Sequence, residues 1–168
     1  PFEAETLKNY EIGYKSTWLD HRLRLNAAVF HSQSHDYQFF YIDFNAGGAQ
    51  VIDNLSKVDF TGAELEIQAQ LTRAWQVYAS LGALDSDIRA FDSSLTVPAA
   101  RGNYAPKTQK SSVALGTQYE FPVGALTGRI RADYNRWGKR YWHPDNVDVR
   151  DPVDMLDVRL SLSGERWT

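Results

Sequence analysis

The stretch HSQSHDYQFFY, residues 31–41, sets His31 and His35 four positions apart and places Asp36 directly after the second imidazole. On an α-helix that spacing brings both rings to one face, as a zinc centre or a metal-dependent catalytic site requires. The chain has no cysteine, so a thiolate-based metal site and a disulfide framework are both excluded. It also lacks a Gly-rich phosphate loop and a serine nucleophile elbow. Any metal or catalytic chemistry therefore depends on whether residues 31–35 form a helix.

The surrounding pattern has a period of two. In GAELEIQAQL, Ala63, Leu65, Ile67, Ala69 and Leu71 alternate with Glu64, Glu66, Gln68 and Gln70, and no helical face collects either set. The same alternation runs through Leu23–Val29, Val113–Phe121, Ile130–Tyr134 and Val158–Leu162, and less cleanly through Leu7–Trp18 and Trp75–Leu84. This predicts an all-β chain of about seven strands with one apolar and one polar face. His31 and His35 continue the strand of Leu23–Val29, where residues four apart share a face but lie about 13 Å from each other at ~3.3 Å per residue. One such pair cannot chelate a common ion. His31 keeps the parity of the apolar set, and His35 and Asp36 begin an extension beyond it.

Connections sort by length. Breaks at Leu19–His21, Arg73–Ala74 and Pro122–Ala125 are tight, whereas those near Asp43–Lys57, Asp85–Lys107 and Gly138–Asp154 are long and rich in Gly, Pro, Asn and Asp. Short and long alternate, as in an antiparallel up-and-down outer-membrane barrel with tight turns at one end and long loops at the other. Trp18, Trp75, Phe121 and Trp167 all fall near tight turns, the place of an interfacial aromatic girdle, while Tyr37, Phe39, Tyr41, Tyr141 and Trp142 lie towards the long-loop ends. A strand of about 10 residues tilted by ~45° covers roughly 23 Å, close to the apolar band of such barrels. A soluble sandwich or lipocalin-like barrel, with the same alternation, would bury the apolar face in a core instead.

Composition narrows the classes further. A formal charge of −3 and a pI near 5.8 supply no basic field for nucleic acid. No apolar run reaches the ~18 residues of a spanning helix, which excludes a helical membrane protein. Aromatic residues make up 13% of the chain, a generous share for a surface with one apolar and one wet side. The sequence opens on Pro1 without a basic, apolar leader, so the expectation is a section of a longer polypeptide.

Four motifs in order carry a resemblance. Asn9, Tyr10, Glu11, Gly13 and Lys15 form an Asn-Tyr-Glu-x-Gly-x-Lys strand; Asp20 and Arg22 an Asp-x-Arg turn; Asn26, Ala28 and Phe30 an Asn-x-Ala-x-Phe strand; and Gly62, Glu64 and Glu66 a Gly-x-Glu-x-Glu strand. This succession resembles the later barrel strands of TonB-dependent outer-membrane receptors over nearly the whole chain. The resemblance implies a 22-stranded barrel in the bacterial outer membrane, enclosing an N-terminal plug and bearing a short box gripped by TonB. It also implies active import of a scarce ligand, ferric siderophores first, cobalamin or oligosaccharides next. Residues 1–168 contain no recognisable plug, TonB box or terminal strand ending in an aromatic residue, so they read as one partial barrel domain. Partners implied are outer-membrane lipid, the receptor's own plug, the TonB complex and an extracellular small ligand.

On this reading Glu64, Glu66, Arg129, Arg131, Asp133 and Arg159 face the lumen, against the plug or along a permeation route. Tyr37, Tyr41, Trp142 and His143 are the candidates for ligand contact above the barrel mouth, in competition with girdle or loop packing. No cofactor, resident metal or enzyme activity is expected. Three rivals stay open: a passive porin-like or adhesin-like barrel; a soluble β-sheet module binding carbohydrate or lipid; and an outer-membrane hydrolase, which needs His35 or Asp36 brought against His143 or Asp145 at the rim.

Overall fold

The computed structural model describes residues 2–43, 47–92 and 98–164. Its strands are β1 (Thr6–Trp18), β2 (Leu23–Asp43), β3 (Ala49–Gln70), β4 (Trp75–Ala90), β5 (Ser111–Val123), β6 (Leu126–Trp137), the two-residue β7 (Arg140–Tyr141) and β8 (Val149–Arg150), and β9 (Val153–Ser163). One seven-stranded antiparallel sheet has the order β1-β2-β3-β4-β5-β6-β9, and β7 with β8 forms a small ribbon in the last long connection. Each neighbour in the sheet is a neighbour in sequence apart from that ribbon, which is the meander read from the loop pattern. The sheet is not closed, and β1 and β9 are its edges.

Register turns the period of two into two continuous surfaces. Tyr14, Ala27, Leu65, Leu81 and Val113 stand in one cross-strand row, and Leu25, Ile67, Ala79, Leu115, Tyr134 and Leu156 in the next. The face they make is bare: Ile12 is 77% exposed, Leu156 69% and Leu160 67%. No layer covers it, as a soluble sandwich would have to. Towards the long-loop end the outward positions turn polar or charged, with Lys8 on β1, Gln33 on β2, Asp59 on β3, Asp85 on β4, Arg136 on β6 and Asp154 on β9. At the other end Trp18, Trp75 and Phe121 lie on the same face beside the tight turns, while Trp167 lies outside the described residues. Such a band, bounded by aromatics below and charge above, fits a bilayer.

Tight turns follow from left-handed backbone. Leu19, Asp20 and His21 all have positive φ, closed by an Arg22 N–H to Leu19 C=O bond of 3.1 Å, and Gly124 (φ 61°) turns β5 into β6. Three glycines make room for an aromatic ring on the directly opposite residue: Phe30 over Gly62, Tyr78 over Gly116 and Phe121 over Gly128, where an added Cβ would meet the ring. This pairing lets a large ring lie flat on a strand that has no side chain of its own there.

Two loop expectations need correction. Most of the Asp43–Lys57 segment is strand, since β3 starts at Ala49, and β4 runs on to Ala90 rather than ending before Asp85. The cause is a change of phase. Below Asp36 the inward side chains of β2 are even-numbered, with Ser32 and Ser34 buried; Asp36 adopts φ 56°, and above it the buried ones are Phe39 and Tyr41. On β3 the fully buried Leu55 and Val58 are three apart, which no uninterrupted alternation allows. Among the described residues Phe39, Tyr41, Leu55, Val58, Ile88 and Ala105 form a hydrophobic core cluster, and it lies above the apolar band.

The Gly116→Val substitution is expected to push the Tyr78 ring off its neighbour and lower stability by ~1–3 kcal/mol, the range for overpacking. Thermal unfolding of the receptor in detergent, compared with Gly13→Val on β1, where an added Cβ meets nothing closer than 3.7 Å, measures the difference.

Candidate functional site

Above the band β4 outruns β5, leaving the edge of residues 84–88 without a strand partner. The segment 102–110 takes that place: Leu84 N–H donates to Lys110 C=O at 3.0 Å, Ile88 N–H to Asn103 C=O at 2.9 Å, and Gly102 N–H to Ile88 C=O at 3.1 Å. Ala105 N–H bonds Ser86 Oγ at 3.0 Å, and the Tyr104 hydroxyl donates to Leu84 C=O. A buried edge needs such partners, because an unpaired amide there costs the full desolvation of the group.

The loop carrying β7 and β8 then clamps this segment. Asn146, itself at φ 59°, uses its side-chain amide as a strand would: Oδ1 accepts Tyr104 N–H at 2.7 Å and Nδ2 donates to Tyr104 C=O at 2.9 Å. Asn103 Nδ2 reaches Pro144 C=O at 2.8 Å, and Lys107 N–H reaches Tyr141 C=O at 2.6 Å. The long connections thus form one folded cap on the extended strands.

The ligand candidates occupy two kinds of position in it. Tyr37 and Tyr41 belong to the packing. Tyr37 meets Phe60 at 5.7 Å between ring centroids and donates to Pro106 C=O at 3.1 Å, while Tyr41 is 6% exposed and stacks on Phe39. Trp142 is 38% exposed, and the Arg140 guanidinium lies 4.8 Å from its ring centroid. Next to it His143 Nε2 is 3.9 Å from Asp148, and His143 Nδ1 is buried with no hydrogen-bond partner among the described residues. Beneath the cap, on the inner face, Phe30, Glu64, Lys107, Gln109, Ser112 and Arg140 line a cleft of about 380 Å³. Lys107, Tyr104 and Asn146 had no sequence signal beyond loop composition, since each acts through residues tens of positions away, and Arg140 had none either, although its partner Trp142 is only two positions on.

Along the wall below, the polar residues share the inner face. Arg131 donates to Asp133 at 2.7 Å, and the Tyr78 hydroxyl, carried across Gly116, donates to the same carboxylate from two strands away. Arg159 stands beside Arg131 in register and acts on Asp133 through its charge. Arg129 pairs with Glu120 at 2.7 Å, and Glu66 accepts from Asn26 at 3.1 Å. Glu64 makes no hydrogen bond or ion pair among the described residues, although it lines the upper cleft.

The opening histidine motif is strand throughout, as its parity predicts. His31 Nδ1 lies 3.0 Å from Thr61 Oγ1, its cross-strand partner, and among the described residues no hydrogen bond or ion pair joins His35 or Asp36 to His143 or Asp145.

Comparison with known proteins bears on this wall and cap directly. The family profile described as TonB dependent receptor-like, beta-barrel matches residues 1–168. The chain belongs to the TonB-dependent receptor family. As a section of such a receptor's barrel it is an outer-membrane protein. It is 28% identical to the probable TonB-dependent siderophore receptor PiuA of Acinetobacter baumannii, over 99% of this chain and 24% of that protein. It is 27% identical to the probable TonB-dependent receptor BfrD of Bordetella pertussis, over 95% of this chain and 23% of that protein. The chain thus spans about a quarter of these relatives. Among solved structures, the ferric yersiniabactin uptake receptor FyuA of Yersinia pestis superposes with a TM-score of 0.73 at 22% identity, over 95% of this chain and 23% of that one. BauA, the ferric preacinetobactin receptor of Acinetobacter baumannii, gives 0.74 at 17% identity with the same coverage. At these identities the structural likeness speaks for the fold.

Two outcomes test the cap. Asn146→Ala strands the Tyr104 amide and carbonyl, so hydrogen exchange at residues 103–107 should quicken by about tenfold or more while β5 and β6 keep their protection. Burial, then the charge of Asp85, pushes the Tyr104 phenol from 10.0 up to about 12. A raised phenol favours the folded cap below the unfolded value, and that preference is lost as pH climbs from about 10 through about 12. The phenolate absorbance lost in Tyr104→Phe should therefore be centred near pH 12, and a centre near 10 would show that the ring is not packed as described.

Proposed function

We propose that this chain supplies wall and extracellular loops of a receptor that actively imports a ferric siderophore, with cobalamin or an oligosaccharide as the alternative cargo. The observation that supports it most is the half-exposed Trp142 face with Arg140 held against it, beside His143 and above the cleft lined by Lys107 and Arg140. A flat aromatic surface next to fixed cations suits a metal chelate whose aromatic or conjugated ligand groups carry negative oxygens. The relatives named for siderophore uptake point the same way. Tyr37 and Tyr41 serve this surface from behind, by holding the cap to β2 and β3. Glu64, Glu66, Arg129, Arg131, Asp133 and Arg159 face the receptor's plug, whose polar surface would find both signs of charge on the wall. Energy for release would come from TonB acting on that plug.

Uptake of labelled iron by cells whose receptor carries Trp142→Ala and His143→Ala is the test. Half-saturation should rise about tenfold, as expected for losing ~1.4 kcal/mol of binding, with outer-membrane abundance unchanged. Unchanged half-saturation for each siderophore tried, with loss of uptake of another cargo, would remove the siderophore reading. Uptake that persists without TonB would favour a passive barrel.

A further inference from the structure

Among the described residues the outward face has a broad place where it is not filled. At the upper end of the band Ala63 and Ala83 stand directly opposite each other on β3 and β4. Around this low floor rise Tyr10, Ile12, Val29 and His31 on one side and Tyr104 and Lys110 on the other, leaving a groove of about 1290 Å³ with a mostly apolar lining. Tyr104 and Lys110 reach this side because segment 102–110 runs along the β4 edge. The Lys110 ammonium lies 4.1 Å from the Tyr104 ring centroid and 5.6 Å from that of Tyr141, and it makes no ion pair among the described residues. The groove is continuous with the membrane-facing band. Its upper end lies at the level where apolar outward residues give way to Asp85.

A groove of this kind does not stay empty in a bilayer. Water in it would find few polar partners, and a void forfeits the dispersion contacts of its whole lining. We propose that it holds an acyl chain of a phosphate-bearing lipid of the outer leaflet, with the phosphate on the Lys110 ammonium. The chain lies on Ala63 and Ala83 against Ile12 and Val29. The Tyr10 hydroxyl and His31 stand at headgroup level, where polar tips on apolar bodies are at home. This rests on the membrane orientation of the wall and not on the identity of the imported ligand.

The test uses the whole receptor that contains this wall, delipidated in mild detergent and titrated with lipid A and with dephosphorylated lipid A, binding being read by native mass spectrometry. Wild-type receptor should bind lipid A in preference to the dephosphorylated form. Lys110→Gln should weaken lipid A about fivefold, the contribution of one cation beside an anionic headgroup, and leave the dephosphorylated lipid unchanged. Ala63→Phe should weaken both, and Ala27→Phe, elsewhere on the same band, neither. Equal binding of lipid A by wild type, Lys110→Gln and Ala63→Phe would overturn the proposal. So would equal binding of the two lipids by wild type, or a second receptor copy occupying the face in place of lipid. Retained iron uptake in the groove variants separates this outcome from any failure of the importer reading.

Discussion

A backbone amide placed in hydrocarbon has no water to bond, so each N–H and C=O of a membrane-crossing strand must find its partner on the next strand. That requirement fixes the register, and the register decides everything the side chains can then do. Once Tyr14 pairs with Ala27, Ala27 with Leu65 and Leu65 with Leu81, the apolar set has nowhere to go but one face. A slip of one residue would turn Glu64 and Glu66 into the bilayer. The apolar face contributes nothing to a protein core. Its stability comes from the solvent it is built for, which is why the sheet has bare Ile12, Leu156 and Leu160, while the core cluster of the described residues lies above the band.

The inner face solves a different problem, that of filling a polar interior without leaving charges alone. Tyr78 shows how sequence economy does it. Because Gly116 has no side chain, the Tyr78 ring crosses a whole strand and its hydroxyl meets Asp133, which Arg131 holds from the other side. Phe30 over Gly62 repeats the geometry without the polar tip, and there the pair is formed by two of the motifs that mark the family, the Phe of the Asn-x-Ala-x-Phe strand and the first Gly of the next. What reads in sequence as separate motifs is one cross-strand contact. The glycine is where the ring lies.

Strand identity, the meander and the outward apolar set were legible in the sequence because one parity runs unbroken through each membrane span. The reading stopped working where parity did. The phase change at Asp36 and the irregularity beside Val58 leave no simple alternation to read there, so the upper part of β3, within Asp43–Lys57, reads in sequence as connection although it is paired strand. Trp142 and His143 were legible as rim residues by type. Tyr41 was legible as aromatic but not as buried, since burial there depends on a phase change five residues earlier and on Phe39, Leu55 and Ile88 arriving from other strands. Asn146 and Tyr104 were not legible at all. Their bond spans 42 positions and joins two loops whose composition is that of any loop.

The cap and the wall therefore answer to different constraints, and this bears on how such a receptor diversifies. Within the band a change must respect parity and the ring-on-glycine contacts, which leaves few substitutions free. Above it, the segment 102–110 needs only to satisfy the β4 edge, and Asn146 satisfies the segment in turn, so side chains not used in those bonds are free to vary. Trp142, Arg140 and His143 lie in that freer set, Arg140 on a strand only two residues long and Trp142 and His143 directly after it. A surface held by backbone bonds on one side and open on the other can change its side chains without disturbing the register that keeps the barrel in the membrane.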